Sequence, residues 1–352
     1  MAYSSIVKPS VYFNTKLYTG NGSYGHAITG VGFQPDWVWI KRRDGSGRNH
    51  ELYDAVRGTD KAIYSSSNGS EATSVNLLHS FDSDGFTVDD HAGINSSGNN
   101  FVSWNWKCET GVSGTTTGSG SARSYSGRVN TTAGISIIKY AGNSTSGHTI
   151  PHHLGVAPKM IIVKNLGDAG DWIVHVGPLN DPEKVLSLNT TAAGTNFNAG
   201  FNTTNPTSSV FTLGNSATVN DDNQQYIAYC FAEKTGYSKF GSYLANGNAN
   251  GSFAYTGFKP AWVMIKKSSG TENWVVLDNK RDIDNTVQNT LLANTNNAEF
   301  TGTDRVDFLS NGFKCRTATG GINDSGTFIY MAFAEEPFVA NSGASGVPAT
   351  AR

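Results

Sequence analysis

The spacing Gly-x-x-Pro-x-x-x-x-x-Lys occurs three times in the chain, beginning at Gly32, Gly155 and Gly257, and each time encloses a burst of large apolar residues: "WVWI", "MIIV" and "WVMI". Short β-branched and aromatic runs bounded by glycine and proline read as strands. Matched spacing at several offsets separates a true repeat from coincidence. Here the offsets agree. Tyr-x-x-Asn precedes the motif glycines by 14 or 15 residues, at Tyr18, Tyr140 and Tyr243. A second apolar burst follows, with Trp172 and Trp274 each 14 residues past Pro158 and Pro260, and His50 at 15 past Pro35. Each unit then closes with a Phe after a turn (Phe86, Phe211, Phe313), an Asn about nine residues later (Asn95, Asn220, Asn323) and an alternating strand.

This pattern predicts an all-β chain of three tandem β-sandwich-like, jelly-roll-like repeats of about 100 residues, at 17–108, 135–236 and 237–338. Residues 1–16 are expected to be an N-terminal anchoring segment and 339–352 a flexible tail. Residues 109–134, rich in Gly, Ser and Thr and without apolar periodicity, read as a flexible linker or extended arm. At 352 residues the chain is long enough for several separate cores. Only 15 % of residues are charged, so polarity comes from Asn, Ser, Thr and Gly, which excludes a charged disordered polymer.

Along the motif strand, alternation puts Trp37 and Trp39 on one face with Lys41, opposite Val38 and Ile40. Met160 and Ile162, then Trp262 and Met264, hold the same places in the other copies. Both faces are therefore apolar, unlike a strand with one solvated side. Covering two exposed tryptophans, on the order of 300–500 Å², is worth roughly 8 to 12 kcal/mol. These six residues are thus the candidate packing face between repeats or between subunits.

Chemistry is sparse. A net charge of −2 gives no field to gather nucleic acid. No phosphate loop, nucleophile elbow or zinc-protease helix is present. Cys108, Cys230 and Cys315 lie far apart and read as reduced thiols, and the histidines at 148–153 as solvated loop residues rather than metal ligands. "DSDG" at Asp82 reads as a turn and not a calcium loop. Glu233, Glu335 and Glu336 end strands without a second carboxylate to make a glycosidase pair. Asp54 with Arg57, and Asp278 with Arg281, read as local salt bridges or as polar surface contacts for a ligand such as a sugar. No catalytic residue, metal site or cofactor is expected. No stretch is apolar enough for a signal peptide or a membrane span, which predicts synthesis in a cytoplasm and no membrane insertion.

The segments "KPSVYFNTKLYTGNGS", "VGFQPDWVWIKRR", "LYDAVRG", "SFDSDGF" and "SWNWK", and later "GVAPKMIIVKN", "YIAYCFAEKTGYSKFGSY" and "YMAFAEEPF", occur in this order along nearly the whole chain. Together they resemble a group of uncharacterised structural proteins of marine tailed bacteriophages. The resemblance implies a non-enzymatic virion protein, a tail fibre or appendage adhesin that contacts the host surface. Its implied partners are other virion proteins, further copies of itself, commonly as a trimer, and a host glycan or protein. A capsid decoration protein on the head exterior is the alternative reading, and a glycan-degrading tailspike the third.

Overall fold

The computed structural model describes Ser4, Ile6 and residues 8–337 except Ser46, with only the backbone of Glu336 and Pro337. The chain is all-β: its strands form antiparallel sheets, and its helices are single turns. The motif strand Trp37–Arg42 lies inside a six-stranded sheet, flanked by the closing strand Asn100–Trp106 and by Glu51–Asp54. Phe13–Thr19 borders the closing strand, and Lys61–Tyr64 continues the other side. The same order recurs around Met160–Asn165, in an eight-stranded sheet, and around Phe258–Lys267, in a five-stranded one.

Each large sheet packs on a three-stranded sheet, because the β-branched face of the motif strand needs an apolar partner. In the third pair Val263 and Ile265 meet Ala254, Phe308 and Phe313. Val38 and Ile40 meet Ile28 and Phe86 in the first, and Ile161 and Val163 meet Ile150 and Phe211 in the second.

The opposite faces of the three large sheets meet one another. Trp37, Trp39, Met160, Ile162, Trp262 and Met264 are each at most 1 % exposed and share one central core with Trp104, Trp106, Tyr229, Phe231, Met331 and Phe333. Trp37 stacks on Tyr229 at 4.5 Å between ring centroids, and Trp106 meets Phe333 edge-on at 5.6 Å. The neighbour that covers the two-tryptophan face is therefore the rest of the same chain.

The junctions run in one rotational sense. Trp172 of the second pair donates its indole N–H to Tyr64 O of the first (3.0 Å), and Trp274 of the third donates to Ser187 O of the second (2.9 Å). His50 holds the matching place in the first pair, where its Nδ1 accepts from Trp39 Nε1, and Ser65 Oγ bridges to Ala293 O of the third at 2.6 Å. Second leans on first, third on second and first on third, so the ring closes.

Two expectations are corrected. Residues 109–134 are not a linker: Thr110–Thr115 and Ser124–Asn130 form a hairpin on the edge of the second large sheet, and Thr117–Gly118 pairs with His148–Pro151 of the small sheet. An edge hairpin buries little, and here backbone pairing holds it with inward Tyr125 and Val129. Nor do the described residues of 1–16 form a separate anchor. Phe13 begins a core strand, is 2 % exposed and stacks on Phe333 at 5.1 Å. The expected tail, 339–352, lies outside the described residues.

Candidate functional site

The motif residues that recur in all three sheet pairs prove to be fasteners. Tyr18, Tyr140 and Tyr243 donate their hydroxyls to the carbonyls of Ile94, Val219 and Ile322, at 2.7, 2.7 and 2.5 Å. The next residue in each case is the recurrent asparagine, whose Oδ1 accepts from the backbone N–H of Asn21, Asn143 or Asn246. Lys41, Lys164 and Lys266 are buried and donate to the carbonyls of Arg42, Asn165 and Lys267 at 2.7–2.8 Å. Burial, which disfavours the ammonium, lowers each pKa to about 8.

Asp54, Arg57, Asp278 and Arg281 are not surface ligand contacts. All four are buried, with Arg57 Nε 2.5 Å from Asp54 Oδ2 and Arg281 Nε 2.6 Å from Asp278 Oδ2. Each carboxylate also takes a donor from the neighbouring sheet: Tyr229 Oη at 2.7 Å on Asp54, and Trp104 Nε1 at 3.0 Å on Asp278. In the second pair the register-matched residue is Val176, and the closing-strand position matching Trp104 and Tyr229 is Met331, which has no hydrogen to donate. The aspartate occurs where the neighbour supplies a donor, as a buried charge requires. These are junction fasteners whose burial is set by distant parts of the chain.

Several further titratable groups are paired, although among the described residues buried His175 has no hydrogen-bond partner on either ring nitrogen and Tyr237 none on its hydroxyl. His148 and His152 are buried, correcting the solvated reading: His148 is held between Asn220 Oδ1 (2.9 Å) and Thr116 Oγ1 (2.7 Å), and burial lowers its pKa. Asp84 accepts the N–H groups of Gly30 and Gly32, which lower its pKa. Glu233 pairs with Lys239 and Glu335 with Lys259. Cys108, Cys230 and Cys315 are free and buried, and burial raises their thiol pKa values. Among the described residues no group of three or more His, Cys, Asp or Glu is placed to hold a metal.

The third small sheet carries two outward aromatic rings on one strand face, while Tyr24 and Phe300 are exposed on other segments. Phe253 and Tyr255 are 44 % and 54 % exposed on its edge strand Phe253–Tyr255, whereas every one of the chain's 7 tryptophans is fully buried. They share the outer face with Lys314, which pairs with Phe253 in register, and with the Arg316–Asp307 ion pair. Gly312 makes room for the ring: a Cβ there would lie 2.9 Å from Phe253 and 2.2 Å from Ala254 O. The register-matched residues are Ala27 and Thr29 in the first small sheet and Thr149 and Pro151 in the second. Two aromatic faces beside an ammonium and a guanidinium–carboxylate pair suit the C–H face and hydroxyls of a sugar.

A family model described as Domain of unknown function (DUF7483) matches residues 8–337. The chain belongs to the DUF7483 family. No curated protein and no solved structure matches it. In this DUF7483 chain no described helix is long and apolar enough to cross a membrane. Sequence reading missed Phe253 and Tyr255, although the alternation in "SFAYT" carries their signal: both same-face positions of a short strand are aromatic.

Proposed function

We propose that this DUF7483 protein is a non-enzymatic virion component of a tailed bacteriophage, a fibre or appendage protein that touches a host-surface glycan through Phe253 and Tyr255. The observation that carries the binding part is the exposure of two rings on one face of one short strand, whereas Tyr24 and Phe300, also exposed, lie on separate segments. The virion part rests on the resemblance of the ordered segments named above. The absence of a carboxylate pair from the aromatic face, where Asp307 is already engaged by Arg316, favours holding a glycan over cleaving it.

The three sheet pairs are read as diverged copies of one unit, supported by their shared strand order and shared Tyr–Asn fastening. The test is a glycan array run beside a hydrolysis assay, with wild type and a Phe253→Ala/Tyr255→Ala double variant. Binding lost in the variant, without product release by either protein, supports an adhesin. Hydrolysis by wild type, or binding that survives the double change, overturns it. Localisation in intact particles by cryo-electron microscopy tests the tail assignment, and density on the capsid shell would refute it.

A further inference from the structure

A cavity of about 310 Å³ lies where the first large sheet meets the third, lined by Phe13, Thr15, Ala261, Asn279, Lys280 and Ala334 among others. The volume falls at the lower end of the roughly 300–1,000 Å³ of small-molecule sites and far exceeds the roughly 30 Å³ share of one water.

Its polarity is out of place. Asn279 is 2 % exposed, and neither its amide nitrogen nor its amide oxygen has a hydrogen-bond partner. Thr15, 7 % exposed, has an unpartnered hydroxyl on the same cavity. Buried amides and hydroxyls are almost always paired, because leaving one unpaired forfeits its hydration without return.

The other two junctions show what the fold does without such groups. Thr15 pairs with Trp104, and the matching positions opposite Tyr229 and Met331 are Ile137 and Phe240, both buried in the central core. Asn279 N–H donates to Ala261 O as Ala55 N–H does to Asp36 O and Gly177 N–H to Lys159 O, so Ala55 and Gly177 are its counterparts. At one junction only, large apolar side chains give way to a hydroxyl, and a small residue to an amide.

We infer that this cavity is a binding site for one monosaccharide ring, distinct from the aromatic face and independent of the function proposed for it. An amide offers both a donor and an acceptor, and a hydroxyl offers either, which matches adjacent sugar hydroxyls. Phe13, Ala261 and Ala334 supply apolar wall for the ring's C–H side. Lys280 is exposed at the rim, and Glu335 is held by Lys259 at 2.9 Å, so the lining lacks the cluster of cations that a phosphate would select.

Saturation-transfer NMR on the full chain, with the methyl glycosides of glucose, galactose, mannose and N-acetylglucosamine as probes, tests this. At least one should receive saturation. Thr15→Ile and Asn279→Ala, which import residues the chain uses at its other junctions, should each weaken that glycoside at least tenfold, with melting temperature unchanged or raised. Phe253→Ala/Tyr255→Ala should leave it intact, so failure of one site is distinguishable from failure of the other. Absence of saturation for all four glycosides, a signal that survives both cavity variants, or a soaked crystal showing ordered water alone on Asn279 would overturn the assignment.

Discussion

Tyr229→Phe isolates one junction fastener. The substitution keeps the ring that stacks on Trp37 at 4.5 Å and deletes only the hydroxyl that donates to Asp54 Oδ2 at 2.7 Å. Both residues are fully buried, so no water replaces the lost donor. Asp54 keeps Arg57 and the backbone N–H groups of Val56 and Arg57. A hydrogen bond to a charged group contributes about 1.5–3 kcal/mol, and that is the expected loss. Asp54→Val alone should cost more, about 3–5 kcal/mol, because it takes away the fully buried carboxylate on Arg57 Nε and leaves the guanidinium with Glu71 at 3.1 Å as its counter-ion.

The triple change Asp54→Val/Arg57→Leu/Tyr229→Met imports the apolar solution of the junction between the second and third large sheets, where Val176, Leu179 and Met331 occupy the matching positions, and should recover most of that loss. Chemical denaturation of the single, double and triple variants gives these values directly. A double-mutant cycle between Asp54 and Tyr229 should return about 1.5–3 kcal/mol of coupling. Additivity within about 0.5 kcal/mol would refute the argument that a donor across the junction is what permits the aspartate.

Lys41, Lys164 and Lys266 predict an alkaline gain in stability. Each folded-state pKa is lowered to about 8 by burial, against 10.5 unperturbed. The unfolded chain therefore binds more protons between those values, and stability should rise as pH rises from about 8. Above about 9 the three buried thiols, and above about 10 the buried tyrosines, all with pKa values raised by burial, first offset and then reverse the trend. Melting curves of wild type and Lys164→Met from pH 7 to 10 check this, and an equal slope for both would exclude the lysine as a source. Gly312→Ala should cost about 1–3 kcal/mol by overpacking and should displace the Phe253 ring, visible as lost glycan binding on an otherwise folded protein.

The β class and the two-faced motif strand were legible because a period of two is written locally, in Trp37, Trp39 and their counterparts. What covers the second face was not, since ring closure depends on contacts such as Tyr229 to Asp54, which lie 175 residues apart. The i,i+3 spacing of Asp54 and Arg57 announced an ion pair but not its burial, which Tyr229 imposes. The 109–134 hairpin escaped notice because its outer strand Thr110–Thr115 is almost wholly exposed and polar, leaving Tyr125, Gly127 and Val129 of the inner strand as a faint alternation. His148 looked like a solvated loop residue for the same reason, as Thr116 of that stretch is what covers it. The cavity at Thr15 and Asn279 was invisible for a different cause: a hole is defined by what surrounds it, and its walls come from both ends of the chain.

The closed ring of three sheet pairs has a consequence for how such a structure can change. In a ring of three separate identical chains, any substitution appears at every junction at once, and dilution can take the ring apart. Here one polypeptide supplies all three junctions, so each is free to take its own course: a tyrosine on Asp54, a tryptophan on Asp278, apolar packing at Val176 and an open polar hollow beside Asn279. Tethering permits such differences between junctions, because the ring stays closed at any concentration.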